Sequence, residues 1–431
     1  MVNIWRLSFL ICLTFVTAGC GGEASHDIIT PEEVTVIDGG FSWWSGPYLY
    51  PDDNEGDSYY ITGVGDDGSL SSQWLAKVEI DDEGKFSSIK RKELFNEFIG
   101  DEHNAPAVVV HNTNIVVALT GHANTRRNLA NKVYIYQGKT IDTLAKVVID
   151  TPGPATYVQL LQVGDDLVLF SRISDFGYSY TISADNGATW GVWQPLFASG
   201  YVKAQYNKMS NYLDFYIGTS PIYKHNNIQT IQASYDGNSI HIDNKGQQEN
   251  GIIKSSSLDM IIAPEAGYAT RILSTHSRNN KAVLFSEHLV PNQFSKRENW
   301  HLKLAVKLDN RDDWQIFTLK ENVEGVLGER NIANNSGYYV YGGDISSLVD
   351  DNVSIVYAQK TDNGYSIDEM TFDLKLNKIV MEKTLVESEL QLYRPLIFNS
   401  KLGGRLLMYN EANTWYDFYQ WNANQILLMV E

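Results

Sequence analysis

Two histidines lie just outside a short hairpin pattern in the first third of the chain. Apolar runs at 107–110 and 115–119 surround Asn112-Thr113, a pair that suits a two-residue turn. Counting outward from that turn along both strands places His103 opposite His122. Opposed side chains on one face of a sheet have Cβ atoms about 4.5–5.5 Å apart, so both imidazoles could contact one substrate. The alternative is a pair of polar residues packed at a strand end.

The next hairpin pattern presents a tyrosine and an arginine in the same way. Tyr157 stands near the start of one strand, and Arg172 follows the apolar run 167–170, so the same counting pairs them. Arginine binds a carboxylate through two parallel hydrogen bonds, and a nearby positive charge favours the phenolate form of a tyrosine. Two histidines, a tyrosine and an arginine therefore suit removal of a proton next to a carboxylate. Glycoside hydrolysis, by contrast, generally uses a pair of carboxylates.

These hairpins belong to a pattern that recurs along the chain. A β-rich run, a turn and a second apolar strand occur seven times, roughly 35–70 residues apart, whereas helical periodicity is scarce. The pattern predicts an all-β fold, a seven-bladed β-propeller with antiparallel four-stranded blades. The run 33–38 is predicted to complete the last blade and close the ring. The second strands are predicted at 58–62, 115–119, 167–170, 213–217, 282–285, 353–357 and 406–409.

One of these units contains a further propeller signature. Residues 183–190 read Ser-Ala-Asp-Asn-Gly-Ala-Thr-Trp and match the Asp-box, Ser-x-Asp-x-Gly-x-Thr-Trp, at every position. In this motif the Asp and the Gly shape a tight turn between outer strands, and the Trp packs between blades. We interpret the motif as structural and remote from the site.

Other polar residues are predicted on the same face as the two pairs. Adjacent strands of a blade run antiparallel, so the start of a first strand and the end of the second share one face. Tyr201, Arg271 and Arg394 stand near the starts of further first strands, and we interpret them as substrate-binding residues. His111 adjoins the hairpin turn at the far end, where we expect it to be exposed to solvent.

The N-terminus has the pattern of an export signal. Arg6, the apolar run 7–16 and Thr17-Ala18-Gly19-Cys20 resemble a bacterial lipoprotein signal, in which Cys20 becomes the lipidated N-terminus. The alternative is a cleaved secretory peptide with an incidental cysteine. This interpretation makes 1–19 a signal peptide, 20–33 a polar tether and 34–431 a single catalytic propeller domain. The protein would be lipid-anchored at the outer membrane or surface of a Gram-negative bacterium, or secreted.

Composition narrows the choice of partners and chemistry. The formal net charge of −18 argues against a diffuse basic surface for nucleic acid or anionic membranes, so we expect membrane contact only through the lipid anchor. The two cysteines, Cys12 and Cys20, lie in the leader or at its edge, which leaves the mature domain without a disulfide or a cysteine nucleophile. We expect a monomer.

The proposed chemistry requires no cofactor. The acidic run 51–57 has oxygen ligands suited to a structural calcium ion, but it lacks EF-hand spacing. A solvated loop is the alternative interpretation, so the sequence assigns no metal ligands.

Several of these segments together resemble one enzyme family. The stretch Asp-Glu-His-Asn-Ala-Pro-Ala at 101–107, Gly-His ending at His122, Thr-Tyr ending at Tyr157, Ser-Arg ending at Arg172 and the Asp-box at 183–190 resemble the ulvan lyases, which are seven-bladed propeller polysaccharide lyases. The similarity runs in order from about residue 40 to at least residue 220 and is weaker beyond.

The resemblance implies a reaction and a role for each residue. It implies β-elimination at the 1,4 link between rhamnose 3-sulfate and a uronate of ulvan, an anionic polysaccharide, which leaves a 4,5-unsaturated uronate. His103 and His122 match the paired histidines of the family, Tyr157 the catalytic tyrosine and Arg172 the arginine that neutralises the carboxylate. Tyr201 resembles a further tyrosine that contacts substrate. A related branch of the superfamily acts on rhamnose–glucuronate links, so the preferred uronate stays open.

Two other function classes remain as alternatives. A sialidase-like glycoside hydrolase would explain the Asp-box, but such enzymes usually carry Phe-Arg-Ile-Pro early in the chain, and 171–174 (Ser-Arg-Ile-Ser) is a late and poor match. A non-catalytic glycan-binding lipoprotein at the surface would use aromatic platforms, yet it would not need two histidines, a tyrosine and an arginine together.

Overall fold

The computed structural model describes most of the chain from Val34 onward. The described residues are 34–41, 45–52, 57–66, 70–99, 102–122, 127–198, 200–218, 227–242, 248–249, 252–253, 258–263, 268–289, 299–309, 311–324, 342–399, 405–412 and 424–430. They form an all-β seven-bladed propeller, as the strand pattern predicts. The predicted signal peptide and tether, including Cys20, lie outside the described residues. No helix within the described ranges is long and apolar enough to cross a membrane.

Each blade is built around an antiparallel sheet whose strands are mostly consecutive in the chain. Blade 1 contains β2 (Leu49–Pro51), β3 (Asp57–Asp66), β4 (Leu70–Ile80) and β5 (Phe86–Ile99). Blade 2 contains β6 (Ala107–His111), β7 (Asn114–Leu119), β8 (Lys132–Gly138) and β9 (Ala145–Asp150). Blade 3 contains β10 (Ala155–Val163), β11 (Asp166–Ile173), β12 (Gly177–Ser183) and β13 (Gln194–Phe197), extended by β19 (Ile252–Ile253) and β18 (Gln248–Glu249).

The remaining four blades complete the ring. Blade 4 contains β14 (Tyr201–Asn207), β15 (Tyr212–Gly218), β16 (Ile228–Tyr235) and β17 (Ile240–His241), with β20 (Asp259–Ile262) also on β16. Blade 5 contains β21 (Tyr268–Ser277), β22 (Lys281–Leu289), β23 (Asn299–Lys307) and β24 (Gln315–Glu324). Blade 6 contains β25 (Gly343–Val349), β26 (Asn352–Thr361), β27 (Gly364–Asp373) and β28 (Lys378–Ser388), and blade 7 contains β29 (Gln391–Asn399), β30 (Arg405–Ala412) and β31 (Asn424–Val430). Three single-turn helices are described, at Glu102–Asn104, Arg127–Ala130 and Ile141–Thr143.

The two ends of the propeller are joined in one blade. Strand β1 (Val34–Asp38) pairs antiparallel with β31, from Val34 opposite Met429 to Asp38 opposite Gln425. The predicted closure of the ring by the run 33–38 is thereby confirmed. Because β1 covers β31, the last blade gains its fourth strand from the start of the chain.

The hydrophobic core is divided among the junctions between blades. Seven clusters of buried side chains are described, and each fills a space between neighbouring blades. The second strands are buried on both faces, which explains their continuous apolar runs: in β7, every residue after Asn114 is buried. The first strands of successive blades lie side by side around the centre. Residues at the starts of first strands therefore converge on one rim of the central channel.

The turns of blades 2 and 3 pack on each other at the opposite end. Asn112 and Thr113 have φ of 48° and 65°, which fits the two-residue turn, and the β6–β7 register is the predicted one. The Asp-box segment forms a closed turn in which the Asp185 carboxylate accepts hydrogen bonds from Ser183 and Thr189. The expected exposure of His111 is wrong, since this residue is 2% exposed. Its Nε2 lies 3.0 Å from the carbonyl oxygen of Asp165 because blade 3 covers this end of the hairpin.

Candidate active site

The two predicted histidines stack against each other at the rim of blade 2. His103 lies in the single-turn helix before β6, and His122 follows the end of β7. Their rings are 4.3 Å apart between centroids, with planes inclined by 21°. His103 is 7% exposed and His122 is half-buried. The predicted adjacency is confirmed, although both residues lie beyond the hydrogen-bonded part of the hairpin.

A hydroxyl group anchors the strand end beneath His122. The Thr120 hydroxyl lies within hydrogen-bonding distance of two carbonyl oxygens, that of Lys132 at 3.1 Å and that of Ala155 at 3.2 Å. Ala155 begins the first strand of blade 3, so this side chain links the histidine-bearing segment to the strand that carries Tyr157. The blade 2–blade 3 junction therefore sets the relative position of the two predicted pairs.

Tyr157 occupies a β-bulge rather than a ladder position. The β10–β11 register shifts between Thr156 and Gln159, so Thr156 pairs with Arg172 where simple counting pairs Tyr157. The predicted pairing is wrong by this one inserted residue. The bulge gives Tyr157 a φ of 59°, a left-handed conformation that is uncommon for a bulky side chain. The residue is 5% exposed.

Blade 4 and the second strand of blade 3 brace this bulge. Gln159 donates through its side-chain amide to the carbonyl oxygen of Val202 and accepts from the backbone N–H of Ala204 at 3.0 Å. On the other side, the Ser171 hydroxyl donates to the carbonyl oxygen of Thr156 at 3.0 Å. Left-handed backbone at a non-glycine residue costs about 1–3 kcal/mol and persists only where its surroundings hold it. These bonds supply that restraint.

Arg172 nevertheless reaches Tyr157, through its guanidinium group. The Cζ atom of Arg172 lies 4.6 Å from the ring centroid of Tyr157 and 5.1 Å from that of Tyr201. The two aromatic rings are 5.6 Å apart. Cation–π attraction to both rings orients the guanidinium, while the half-buried side chain keeps contact with solvent. It is therefore positioned to receive an anionic group from outside.

The phenol and the imidazoles form a continuous group. The Tyr157 hydroxyl lies 3.4 Å from Nε2 of His122, within long hydrogen-bonding distance. The ring of Tyr157 is 5.4 Å from that of His103 and 5.5 Å from that of His122. This separation is slightly longer than the reach of about 2.6–3.2 Å for direct proton transfer, and such contacts commonly tighten when substrate binds. The structure thus brings together His103, His122, Tyr157, Arg172 and Tyr201, which we call the rim cluster.

The structure places Arg271 and Arg394 apart from the rim cluster. Both line the central channel, where a cavity of about 290 Å³ opens between first strands of several blades. They are only 6% and 3% exposed, and a guanidinium N–H of Arg394 donates to the carbonyl oxygen of Phe41. Their predicted contact with substrate therefore refers to the channel and not to the outer surface of the rim.

The sequence analysis did not identify two further charged residues of the channel, Lys203 and Asp344. Burial lowers the pKa of Lys203 to about 8, Asp344 opposes that shift, and Arg394 adds to it. Burial raises the pKa of Asp344, although it accepts hydrogen bonds from the Ser274 hydroxyl at 2.5 Å and from two backbone N–H groups. The alternation Tyr201, Lys203, Gln205 along β14 was the available signal, since these positions share one face of a strand.

The described residues contain no group of three or more His, Cys, Asp or Glu side chains that could hold a metal ion. Two carboxylates of the acidic run already have protein partners: Asp52 lies 3.4 Å from Nζ of Lys77, and Asp57 accepts the Tyr59 hydroxyl at 2.7 Å. The intervening residues 53–56 lie outside the described residues. The calcium ion considered from the sequence stays a prediction.

Similarity to solved structures extends over most of the chain at low sequence identity. No protein-family model matches the chain, and no curated protein matches it. Among solved structures, a polysaccharide lyase described as a PL25 ulvan lyase aligns with a TM-score of 0.52 and 14% identity, over 87% of this chain and 93% of that one. The polysaccharide lyase Uly1 aligns with a TM-score of 0.59 and 9% identity, over 90% of each chain. A second structure of the PL25 ulvan lyase, bound to -[GlcA(1-4)Rha3S]-, aligns at 13% identity with a TM-score of 0.52. At these identities the likeness establishes that this chain shares the propeller fold of those lyases.

Proposed function

We propose that this protein is a polysaccharide lyase that cleaves ulvan at the link between rhamnose 3-sulfate and a uronate by β-elimination. One observation carries the proposal: the Tyr157 hydroxyl lies 3.4 Å from His122 while the Arg172 guanidinium rests on the Tyr157 ring. This arrangement combines a proton acceptor, a proton donor and a carboxylate partner within one cluster. The shared fold with ulvan lyases, one of them bound to a glucuronate–rhamnose sulfate chain, supports the choice of substrate.

Carboxylate binding by Arg172 is the first requirement of the reaction. The guanidinium receives the uronate carboxylate in a charge-assisted, two-point contact. By withdrawing charge from the carboxylate it makes the proton on C5 more acidic and stabilises the charge that develops when that proton leaves. Because Tyr157 and Tyr201 hold the guanidinium between their rings, little reorganisation is required when substrate arrives.

Proton transfer and bond cleavage follow at Tyr157 and the histidines. Tyr157, or a histidine for the opposite C5 epimer, takes the proton from C5, and the C–H electron pair forms the C4=C5 double bond. The C4–O bond breaks, and the departing rhamnose oxygen takes a proton from Tyr157 or His122. One product ends in a rhamnose that is a new reducing end. The other begins with a 4,5-unsaturated uronate, whose double bond is conjugated with its carboxylate.

The setting of the enzyme follows from the sequence. We propose an exported protein that is lipidated at Cys20 and held at the outer membrane or cell surface, acting as a monomer on polysaccharide outside the cell. Mass spectrometry of the membrane fraction would detect the lipidated N-terminal peptide. A soluble protein with an unmodified Cys20 would contradict the anchor and leave the reaction untouched.

The reaction is tested by incubating the mature protein with ulvan and following ultraviolet absorbance and product mass. Elimination yields absorbing products that lack the added water of hydrolysis. Tyr157→Phe and His122→Ala should remain folded and produce no unsaturated uronate, while Tyr206→Phe, near the far end of the strand that begins at Tyr201 and bonded to Asn211, serves as control. Hydrolysed products would instead indicate a glycosidase, and tight binding without cleavage would indicate a glycan-binding protein. Near-normal turnover by both variants would refute the assigned roles.

A further inference from the structure

The central channel concentrates positive charge in a strongly acidic protein. Among the described residues that line its cavity, the cations are Lys203, Arg271 and Arg394, and the only carboxylate is Asp344. The lining therefore carries a surplus of positive charge, whereas the chain as a whole carries −18. Like charges that face one small, partly dehydrated cavity favour binding of an anion between them. The cavity of about 290 Å³ is large enough to admit such a group.

Backbone geometry singles out Arg394 among these cations. Nine non-glycine residues are described with positive φ, and only Tyr157 and Arg394 lie within strands, the others lying in turns. Arg394 has a φ of 54° and begins a bulge in β29. Gly342 allows the close packing around it, because a Cβ atom at that position would lie 2.5 Å from Cα of Arg394. A strained conformation that is held this firmly suggests a function for the side chain that it orients.

The channel and the rim cluster share the strands β10 and β14. Tyr201 and Lys203 share one face of β14, about 7 Å apart along the strand, and Gln159 follows Tyr157 along β10 into the channel wall. A saccharide chain that places one residue against Arg172 can therefore direct a substituent of a neighbouring sugar toward Lys203. The three cations come from blades 4, 5 and 7, so they approach a ligand from different directions.

We propose that the channel is a second anion site that binds a sulfate ester of the same polysaccharide chain while the uronate carboxylate contacts Arg172. The inference rests on the proposed function for its substrate. A sulfate ester has three terminal oxygens that accept hydrogen bonds from several directions, which suits donors converging from three blades. A carboxylate is planar and can pair with a single guanidinium through two parallel hydrogen bonds, as proposed for Arg172.

Inorganic sulfate binding tests the site without relying on catalysis. Titration calorimetry at constant ionic strength compares the mature protein with Lys203→Met and Arg271→Gln, and Lys208→Met provides a matched control on the exposed turn after β14. Each channel variant should bind sulfate at least about tenfold more weakly, because a hydrogen bond to a charged group contributes about 1.5–3 kcal/mol. Lys208→Met should bind as the wild type does. Lys203→Arg, which keeps the charge, should retain binding and so separates charge from packing.

A second arm compares ulvan with chemically desulfated ulvan. Desulfation should raise the wild-type KM about tenfold, by the same reasoning, and should have little further effect in Lys203→Met. Unaltered sulfate binding by Lys203→Met, or an equal effect of desulfation on both proteins, would overturn the inference. Weakened binding of glucuronate with sulfate binding intact would also overturn it, by assigning the channel to a carboxylate. If no unsaturated uronate forms from any substrate, the proposed function fails, while the calorimetric arm still decides whether the sulfate site exists.

Discussion

Blades 3 and 7 contain the same backbone irregularity and use it for different side chains. In blade 3 the first strand bulges after Thr156 and Tyr157 has a φ of 59°, whereas in blade 7 it bulges after Tyr393 and Arg394 has a φ of 54°. The bulge presents a phenol beside His122 and Arg172 in one blade. In the other it presents a guanidinium that donates to the carbonyl oxygen of Phe41 and lines the channel.

The comparison teaches that a repeated backbone feature does not define a role. The Tyr157 hydroxyl lies 3.4 Å from Nε2 of His122, longer than an ordinary hydrogen bond, so this contact adds little to the stability of the fold. Arg394 joins blade 7 to the segment that precedes blade 1, near the closure of the ring, so the fold depends on its side chain. Effects on turnover and on stability should therefore separate between the two bulges.

Removing the phenol should have the largest effect on turnover. We expect Tyr157→Phe to lower kcat on ulvan by about 10²–10⁴-fold, the range for loss of a general acid–base group, with the melting temperature nearly unchanged. Initial rates of ultraviolet absorbance and a thermal melt measure both quantities. A fall in stability parallel to the fall in rate would show that the two bulges do not differ in the way proposed.

Replacing Arg172, whose guanidinium lies against the Tyr157 ring, should have the next largest effect on turnover. Arg172→Lys keeps the positive charge but loses the planar fork, so we expect kcat/KM to fall by about 10²-fold or more. Arg278→Lys, on an exposed turn of blade 5, is the matched control. Equal activity of Arg172→Lys and the wild type would mean that a point charge suffices for the uronate carboxylate.

A substitution at the bulge of blade 7 should lower the stability of the protein. Arg394→Lys removes the N–H that reaches the Phe41 carbonyl oxygen, and we expect the free energy of unfolding to fall by about 1–3 kcal/mol. Urea denaturation of this variant beside Tyr157→Phe gives the contrast directly. An unchanged unfolding midpoint for Arg394→Lys would remove the stabilising role from this bulge.

The smallest expected effect is a pH dependence of the channel. The pKa of Lys203 is lowered to about 8, and lysine is charged below its pKa and neutral above it. Arg271, Arg394 and Asp344 face the same cavity. Sulfate affinity should therefore fall about fivefold between pH 7 and pH 9 in the wild type and stay level in Lys203→Met, as titration calorimetry at both pH values would show. The same pH dependence in both proteins would place its cause elsewhere.

Most of the fold could be predicted because its determinants are local. Apolar runs at 115–119 and 167–170 mark strands buried on both faces, and Asn112-Thr113 imposes a turn that sets the register of its hairpin. The run 33–38 could be assigned to the last blade because an unpaired strand at one end of a propeller requires a partner. These features depend on hydrophobic periodicity and turn chemistry, which the chain expresses residue by residue.

The sequence by itself determined the propeller, the seven units and the residue types that meet at the rim. Only the tertiary structure decided that Thr156, and not Tyr157, pairs with Arg172, because a bulge inserts a residue that no composition rule marks. It also decided that His111 is buried beneath blade 3 and that Lys203 and Asp344 join Arg394 in the channel. These outcomes depend on how blades that are distant in sequence pack around the axis. The sequence of one strand does not specify which residues of another blade it will contact.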